Sequence, residues 1–295
     1  MKKHFTIIIL FFAGIISISA NDIRQVEGYA VYHAPRTESP VEAEFKALQL
    51  AIVNALANEF GSNVTSIKTL TEDIKDGNFQ KDLTSLTFRE VKGEWLETIG
   101  EPVYNITYNE KEYEIKASVK GWAREISPEK IYTETHILRN DTKDNAEDTH
   151  FNAEDRFFVS FQTPEAGYCS IYYVDKHKNV YCLLPYPKLA HKPIKVTAGK
   201  RYVFFSPEEN AIEGVNIYDI PDHSVSCEGE FENNMIYVVF SPNRYSLAIT
   251  EETDPGQPGT LSFKKFQKWL TERRKNDLTM NVTIKNIFIN PTKQN

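Results

Sequence analysis

Short runs in which apolar and polar residues alternate recur along this chain, whereas helical spacing appears at two places. That imbalance is the tightest constraint on the fold, because it demands paired strands with one or two helices laid against them. Val26 to Tyr32 reads as a first strand. Ser39-Pro40-Val41-Glu42 is then a helix start: Ser39 can cap, Pro40 suits the first helical position, and Glu42 completes a capping box. Val41, Phe45, Leu48, Ile52, Ala55 and Leu56 recur at helical spacing and predict the buried face, and Gly61 follows as a C-terminal stop. Val64 to Leu70 follows, then turn chemistry at Asp76-Gly77-Asn78. Leu86 to Ile99, Val103 to Tyr108 and Tyr113 to Ile126 alternate again, with Asn109-Glu110-Lys111 as a hairpin loop. In the last run Tyr113, Ile115, Ala117 and Val119 oppose Glu114, Lys116, Ser118 and Lys120. Residues 21–128 are thus expected to form a small antiparallel sheet carrying one long helix.

Residues 155–295 read differently. Arg156 to Gln162 alternates. Gly167 to Val174 and Val180 to Leu184 form a Tyr-rich hairpin around Asp175 to Asn179, ended by Pro185-Tyr186-Pro187. Ile194 to Thr197 and Arg201 to Phe205, joined by Ala198-Gly199-Lys200, are expected as a second hairpin. Met235 to Ser241 is a continuous apolar run and hence a buried strand. Asp254 to Gly259 is strong turn chemistry. Phe263, Phe266, Trp269 and Leu270 then mark a short helix ending in Arg273-Arg274-Lys275, with Trp269 as its expected core anchor, and Met280 to Ile289 is the last strand. The prediction is α+β: the N-terminal sheet and helix, then a mainly antiparallel β-sandwich with one short helix before its final strand. Between the units lies a connecting segment, 129–154. Its stretch from Asn140 to Asp155 is acidic, nearly devoid of apolar residues, and fails the calcium-loop pattern at Lys143, so a solvated linker is expected.

The N-terminus sets the compartment. Lys2 and Lys3 precede an apolar run of about 14 residues, Phe5 to Ile18, followed by small residues up to Ala20. The run is shorter than the ~18 to 20 residues of a membrane-spanning helix. Residues 1–20 therefore read as a signal peptide, and the mature chain as exported, periplasmic or extracellular, without a membrane span. Its loss would take the net charge from −7 to −9. No basic stripe stands out, which disfavours nucleic acid as a partner. Cys169, Cys182 and Cys227 are an odd set, so at least one lacks an intramolecular partner. Cys169 and Cys182 could pair across their hairpin, but buried free thiols are the preferred reading.

Two resemblances follow from these runs. The helix EAEFKALQLAIVNALANEFG, the NVTSIKTL segment and the strand closing in Val119-Lys120-Gly121 resemble small α+β modules of envelope lipoproteins and flagellar-assembly proteins. The lipid-carrying Cys usual there is missing. The succession FFVSFQTPEAGYCSIYYVDKHKNVYCLLPY, VTAGKRYVFF, MIYVVFSP and SFKKFQKWLTERRKNDLTM resembles a β-sandwich domain of unknown function from exported proteins of Bacteroidetes-type bacteria. The first resemblance implies a non-catalytic module and the second an accessory sandwich.

Chemistry leaves few marks. The common hydrolase, metalloprotease and nucleotide-binding signatures do not occur. A Cys–His nucleophile from Cys182 with His177 or His191 is outweighed by ordinary strand and loop roles. Glu208, Glu209, Glu213, Asp219 and Asp222 read as a solvated acidic loop. No catalytic residue, cofactor or metal is assigned. The candidate contacts for a partner or glycan are Tyr168, Tyr172, Tyr181, Tyr186 and Tyr202, on or beside the hairpins; filling the core is the other reading of these rings and the weightier one. The expectation is a non-enzymatic interaction or assembly module of the bacterial envelope, binding an envelope protein or glycan. A carbohydrate-binding module or a glycan-processing enzyme is the alternative.

Overall fold

The computed structural model describes residues 22–62, 91–108, 112–187, 189, 192–209, 212–227, 231–248 and 259–291. The leader, the segment from Val64 with its turn at Asp76 to Asn78, the start of the run from Leu86, the 109–111 loop, His191 and most of the turn from Asp254 lie outside the described residues.

The long helix is α1, Pro40–Phe60. Ser39 Oγ accepts from the Glu42 amide at 3.2 Å, and Pro40 occupies the first position without wasting a donor. At the other end Gly61 takes φ 86°, and its N–H donates to the Ala57 carbonyl at 2.9 Å. The buried face differs from the expected one. Ala43, Ala47, Ala51 and Ala55 form a ridge at four-residue spacing, joined by Ile52, Val53 and Leu56, while Val41 is exposed. The reason is close approach. A Cβ on Gly28 would lie 2.0 Å from the Ala51 carbonyl oxygen, so small residues must line this contact. The bulkier Phe45 turns instead to the second unit and meets Phe288 edge-on at 6.1 Å.

The helix lies on a sheet centred on β4, Glu112–Glu125. β1, Arg24–Pro35, pairs antiparallel along one side of β4 from Arg24↔Ala123 to Pro35↔Glu112. β2, Gly93–Thr98, and β3, Val103–Tyr108, follow each other along its other side. The alternation in β4 holds: Tyr113, Ile115, Ala117 and Val119 are buried under the helix, and Lys116, Ser118 and Lys120 face away.

The second unit is a sandwich with an added layer. One sheet runs β13 (Thr260–Ser262), β9 (Asn179–Leu184), β8 (Gly167–Val174), β12 (Glu232–Ser241), β14 (Asn281–Asn290) and β6 (His150–Asn152), with β10 (Ile194–Val196) also on β8. The other sheet is β11 (Tyr202–Phe204), β7 (Phe157–Gln162) and β5 (Glu134–Arg139). Val159, Phe161, Ile171, Val238, Phe240 and Ile287 help fill the space between them. The expected second hairpin is not one. β10 joins β8 in the large sheet and β11 joins β7 in the small one, so Ala198-Gly199-Lys200 crosses between sheets. The connecting segment is likewise drawn into the sandwich, through β5 on β7 and through β6 parallel to β14.

The outer face of the large sheet is covered by α2, Phe263–Asn276. This explains the continuous apolar run in β12, which is buried on both sides. The anchor of α2 is Phe266 rather than Trp269. Phe266 is fully buried between Tyr172, at 4.9 Å, and Tyr237, at 5.2 Å. Trp269 is half-buried at the rim, where its Nε1 donates to the Ser246 carbonyl at 3.1 Å.

The C-terminal turn of α2 also meets the first unit. There Glu94 of β2 is buried among three cations. It accepts from Arg124 Nε of β4 at 2.7 Å and from Lys130 Nζ, and forms an ion pair with Arg274 Nη2 of α2 at 2.7 Å. Arg274 Nη1 reaches the Trp95 carbonyl at 2.7 Å, and Arg124 Nη1 reaches the Arg274 carbonyl at 2.7 Å. Burial alone would raise the Glu94 pKa, but Arg274, Lys130 and Arg124 outweigh it and hold the carboxyl well below the usual carboxylate range. Burial pulls the Lys130 ammonium below its ordinary value.

Two outcomes follow for stability. Phe266→Ala should cost about 3 to 5 kcal/mol in chemical denaturation, the range for deleting a buried large aromatic. Trp269→Ala should cost roughly 1 to 2 kcal/mol, because less area leaves contact; equal losses would contradict the assignment of the anchor. Glu94→Gln should cost about 3 to 5 kcal/mol at neutral pH, since it strands buried cations. A depressed carboxyl pKa stabilises above the unfolded value of about 4.3 and loses that contribution as pH falls towards the folded value. The gap between wild type and Glu94→Gln, followed by denaturant titration, should therefore narrow below about pH 4.

Candidate binding surface

The five candidate tyrosines do not assemble. Tyr172 is fully buried beneath α2, and its hydroxyl accepts from the Ala248 amide at 3.2 Å. Tyr186 is buried in the sandwich core and accepts from the Phe205 amide at 3.1 Å; burial pushes its hydroxyl up to about 12. Tyr202 is buried too, bonded to the Thr197 amide at 2.9 Å and stacked on Phe204 at 5.8 Å. These three rings therefore pack the core and present nothing to a partner. Tyr168 and Tyr181 remain part-exposed. The Tyr168 hydroxyl accepts from Arg244 Nε at 2.8 Å, with that guanidinium over its ring at 5.6 Å. The Tyr181 hydroxyl donates to Asp175 at 3.3 Å, and its ring leans on Tyr173. Tyr181 pairs with Tyr173, five residues along β8 from Tyr168, a separation of about 17 Å along the strand.

The nucleophile reading also loses ground. Cys169, Cys182 and Cys227 are all free thiols. Burial pushes the Cys182 thiol up to about 12, and its Sγ donates to the Leu184 carbonyl at 3.4 Å, so little thiolate exists at neutral pH. The acidic stretch is partly tied down: Glu209 pairs with Arg201 at 3.2 Å and Asp222 with Arg156 at 2.8 Å. Among the described residues no group of three or more His, Cys, Asp or Glu side chains is placed to hold a metal ion.

The aromatic surface lies elsewhere, on the face of the first sheet turned away from α1. Tyr29 is 53% exposed, Val31 36%, Val103 67% and Trp122 37%. Residues opposite one another in a ladder share a face, so the register places them together. Tyr29 and Val103 flank Ser118 in one row across β1, β4 and β3. Val31 lies opposite Lys116, and Trp122 opposite Gln25. Trp122 stands four residues from Ser118, about 13 Å along the strand. Lys120 pairs with Glu27 at 2.6 Å and Lys116 with Glu114 at 3.0 Å, which offsets charge on the face. The result is a sheet face of rings and short aliphatics separated by hydroxyls, amides and paired ions. It can stack or pack apolar groups and form hydrogen bonds.

The outward side of β4 reads as polar as far as Lys120, so the sequence does not mark this surface. The available signal was the extension of that alternation by one step to Trp122, matched by Tyr29 in the outward phase of β1.

Comparison with protein-family models, with curated proteins and with solved structures gives no match to this chain. No helix of the described residues is long and apolar enough to cross a membrane.

The thiols give a direct check. In native protein at pH 8, Cys169 and Cys182 should resist a thiol-specific chromogenic reagent, because the reactive thiolate is suppressed by burial. All three should react after denaturation without reductant; fewer than three would mean that a disulfide forms.

Proposed function

We propose that this chain is a non-enzymatic, exported interaction or assembly module of the bacterial cell envelope, and that it engages a protein partner through the open face of its first sheet. The observation that carries the reading is the row Tyr29–Ser118–Val103 with Val31 and Trp122 beside it, left exposed while the opposite face is closed by α1. Aromatic side chains bury much area at small entropic cost, and exposed apolar groups that cluster mark interaction sites. Export is supported by the basic start, the apolar run from Phe5 and the small residues before Asp22. The secondary reading is glycan binding, favoured by Tyr29 and Trp122 on neighbouring strands, offset by about 13 Å along them, with amide and hydroxyl groups nearby.

The test compares the mature chain with a Tyr29→Ser/Trp122→Ser double variant. Neither side chain is fully buried, so the variant should remain folded and lose no more than about 3 kcal/mol of stability. Immobilised wild type should retain one protein from envelope extracts that the variant releases, and the purified pair should bind with at least tenfold weaker affinity for the variant. Retention of a polysaccharide instead, lost in the variant, would select the glycan reading. A double variant that binds like wild type would remove this face from consideration.

A further inference from the structure

We propose that copies of this chain associate head to tail: the turn carrying Ile217 and Tyr218 on one copy seats against the basic rim of α2, around Trp269, on the next.

The inserting side is an apolar knob held in place. Tyr218 is 86% exposed and Ile217 47%; Tyr218 is the most exposed large apolar side chain among the described residues. Both stand on a single turn of 3₁₀-helix, Ile217–Asp219. Asn216 Oδ1 accepts from the Tyr218 amide at 3.0 Å, and the Asn216 carbonyl accepts from the Asp219 amide at 2.9 Å. Just beyond, Ile220 is buried in the sandwich core, Asp222 pairs with Arg156 at 2.8 Å, and the His223 carbonyl accepts from the Phe157 amide at 3.2 Å. A knob anchored in this way loses little to ordering when it binds. Its surroundings are acidic. The sequence holds no Lys or Arg from Tyr202 to Asn243, while Glu208, Glu213 and Asp219 lie near the knob along the chain. The surface it complements is apolar and rimmed with cations.

The same chain carries such a surface. On α2 Lys264, Lys265, Lys268, Arg273, Arg274 and Lys275 stand against the single carboxylate of Glu272. Lys265, Trp269 and Arg273 follow at four-residue spacing and so share one side of the helix. Trp269 Nε1 donates to the Ser246 carbonyl at 3.1 Å and Arg273 Nη1 to the Ser246 hydroxyl at 3.4 Å, which draws exposed Arg244 towards the same rim. Lys265 and Lys268 are exposed and Trp269 is half-buried. The indole offers apolar area to Ile217, and the cations beside it suit both the Tyr218 ring and the carboxylates around it.

One molecule does not close this contact on itself. The knob is tied to the start of β7, in the small sheet, whereas α2 covers the outer face of the large sheet. Each copy therefore offers one knob and one receiving side, and a contact between unlike surfaces extends as an open series.

The experiment measures the weight-average mass of the mature chain by light scattering. Concentration runs from about 10 μM to about 1 mM at about 0.15 M salt, where a screening length of about 8 Å damps the overall negative charge but not pairs in contact. The mass should climb past that of two copies. Ile217→Ser/Tyr218→Ser removes the knob and Lys265→Glu/Lys268→Glu reverses the receiving side; each variant alone should keep the mass of one copy. Mixed in equal amounts, the two variants retain one intact knob and one intact receiving side between them. They should form a dimer and nothing larger, which also shows that both fold. Tyr29→Ser/Trp122→Ser should assemble like wild type, so this contact and the open face of the first sheet stand or fall separately. The proposal fails if the wild-type mass stays at that of one copy or levels off at two. It fails equally if the two complementary variants do not combine, or if the sheet-face variant loses assembly.

Discussion

Glu94 sits where three stretches of chain converge: β4 brings Arg124, the segment after it brings Lys130, and the last turn of α2 brings Arg274. Each cation has its own geometric demand, and a carboxylate with two oxygens meets all three only when the first sheet and α2 hold one position. Arg124 and Arg274 add backbone carbonyls as further fixed points, at the Arg274 and Trp95 oxygens. Buried ion pairs are weak sources of net stability but costly to break. Their effect here is to specify orientation: a shift of α2 against β2 strands charge out of water. A second contact joins the two units where Phe45 and Glu42 of α1 meet Phe288 and His150.

That junction gives α2 two tasks. Its apolar side, through Phe266 and Leu270, closes the outer face of the large sheet, so that β12 is buried on both sides. Its basic end closes the gap to the first sheet. Basic residues at a helix C-terminus have an electrostatic reason of their own, since they complement the dipole. In Arg274 that local preference and a long-range pairing coincide.

Elements defined by local chemistry were legible in the sequence. Ser39, Pro40 and Gly61 bound α1 through hydrogen bonds and φ values set within a few residues. Tyr113 to Lys120 displays its two faces because period two is a local property of a strand. What failed depends on distant partners. The Ala ridge of α1 is selected over Val41 by Gly28, a residue on another element whose missing Cβ decides how near the helix comes. Ala198-Gly199-Lys200 reads as a hairpin turn, yet the strands it joins find partners in different sheets, which no turn composition encodes. The hairpin tyrosines read as core fillers more readily than as contacts, but which of them fill the core is not legible: backbone amides claim the hydroxyls of Tyr172, Tyr186 and Tyr202, and an amide donor has no side-chain signature. The Glu94 cluster draws on residues 30, 36 and 180 positions away, so nothing local marks it.

The rigidity of the junction bears on the open sheet face. Exposed aromatics on a sheet have a structural use, since cross-strand pairs stabilise neighbouring strands, and Tyr29 beside Ser118 and Val103 gains from that. Yet such pairing does not require Tyr29 and Trp122 both to stand in the outward phase, on the side that α1 leaves open. A sheet closed by a helix on one side needs only polar residues on the other. Placing Tyr29, Val31, Val103 and Trp122 there spends exposed apolar area that neither α1 nor the sandwich recovers. A partner that buries the face recovers it. Because the sheet is fixed to the sandwich through Glu94, any partner proposed for this face would meet a preorganised surface and lose little to ordering it.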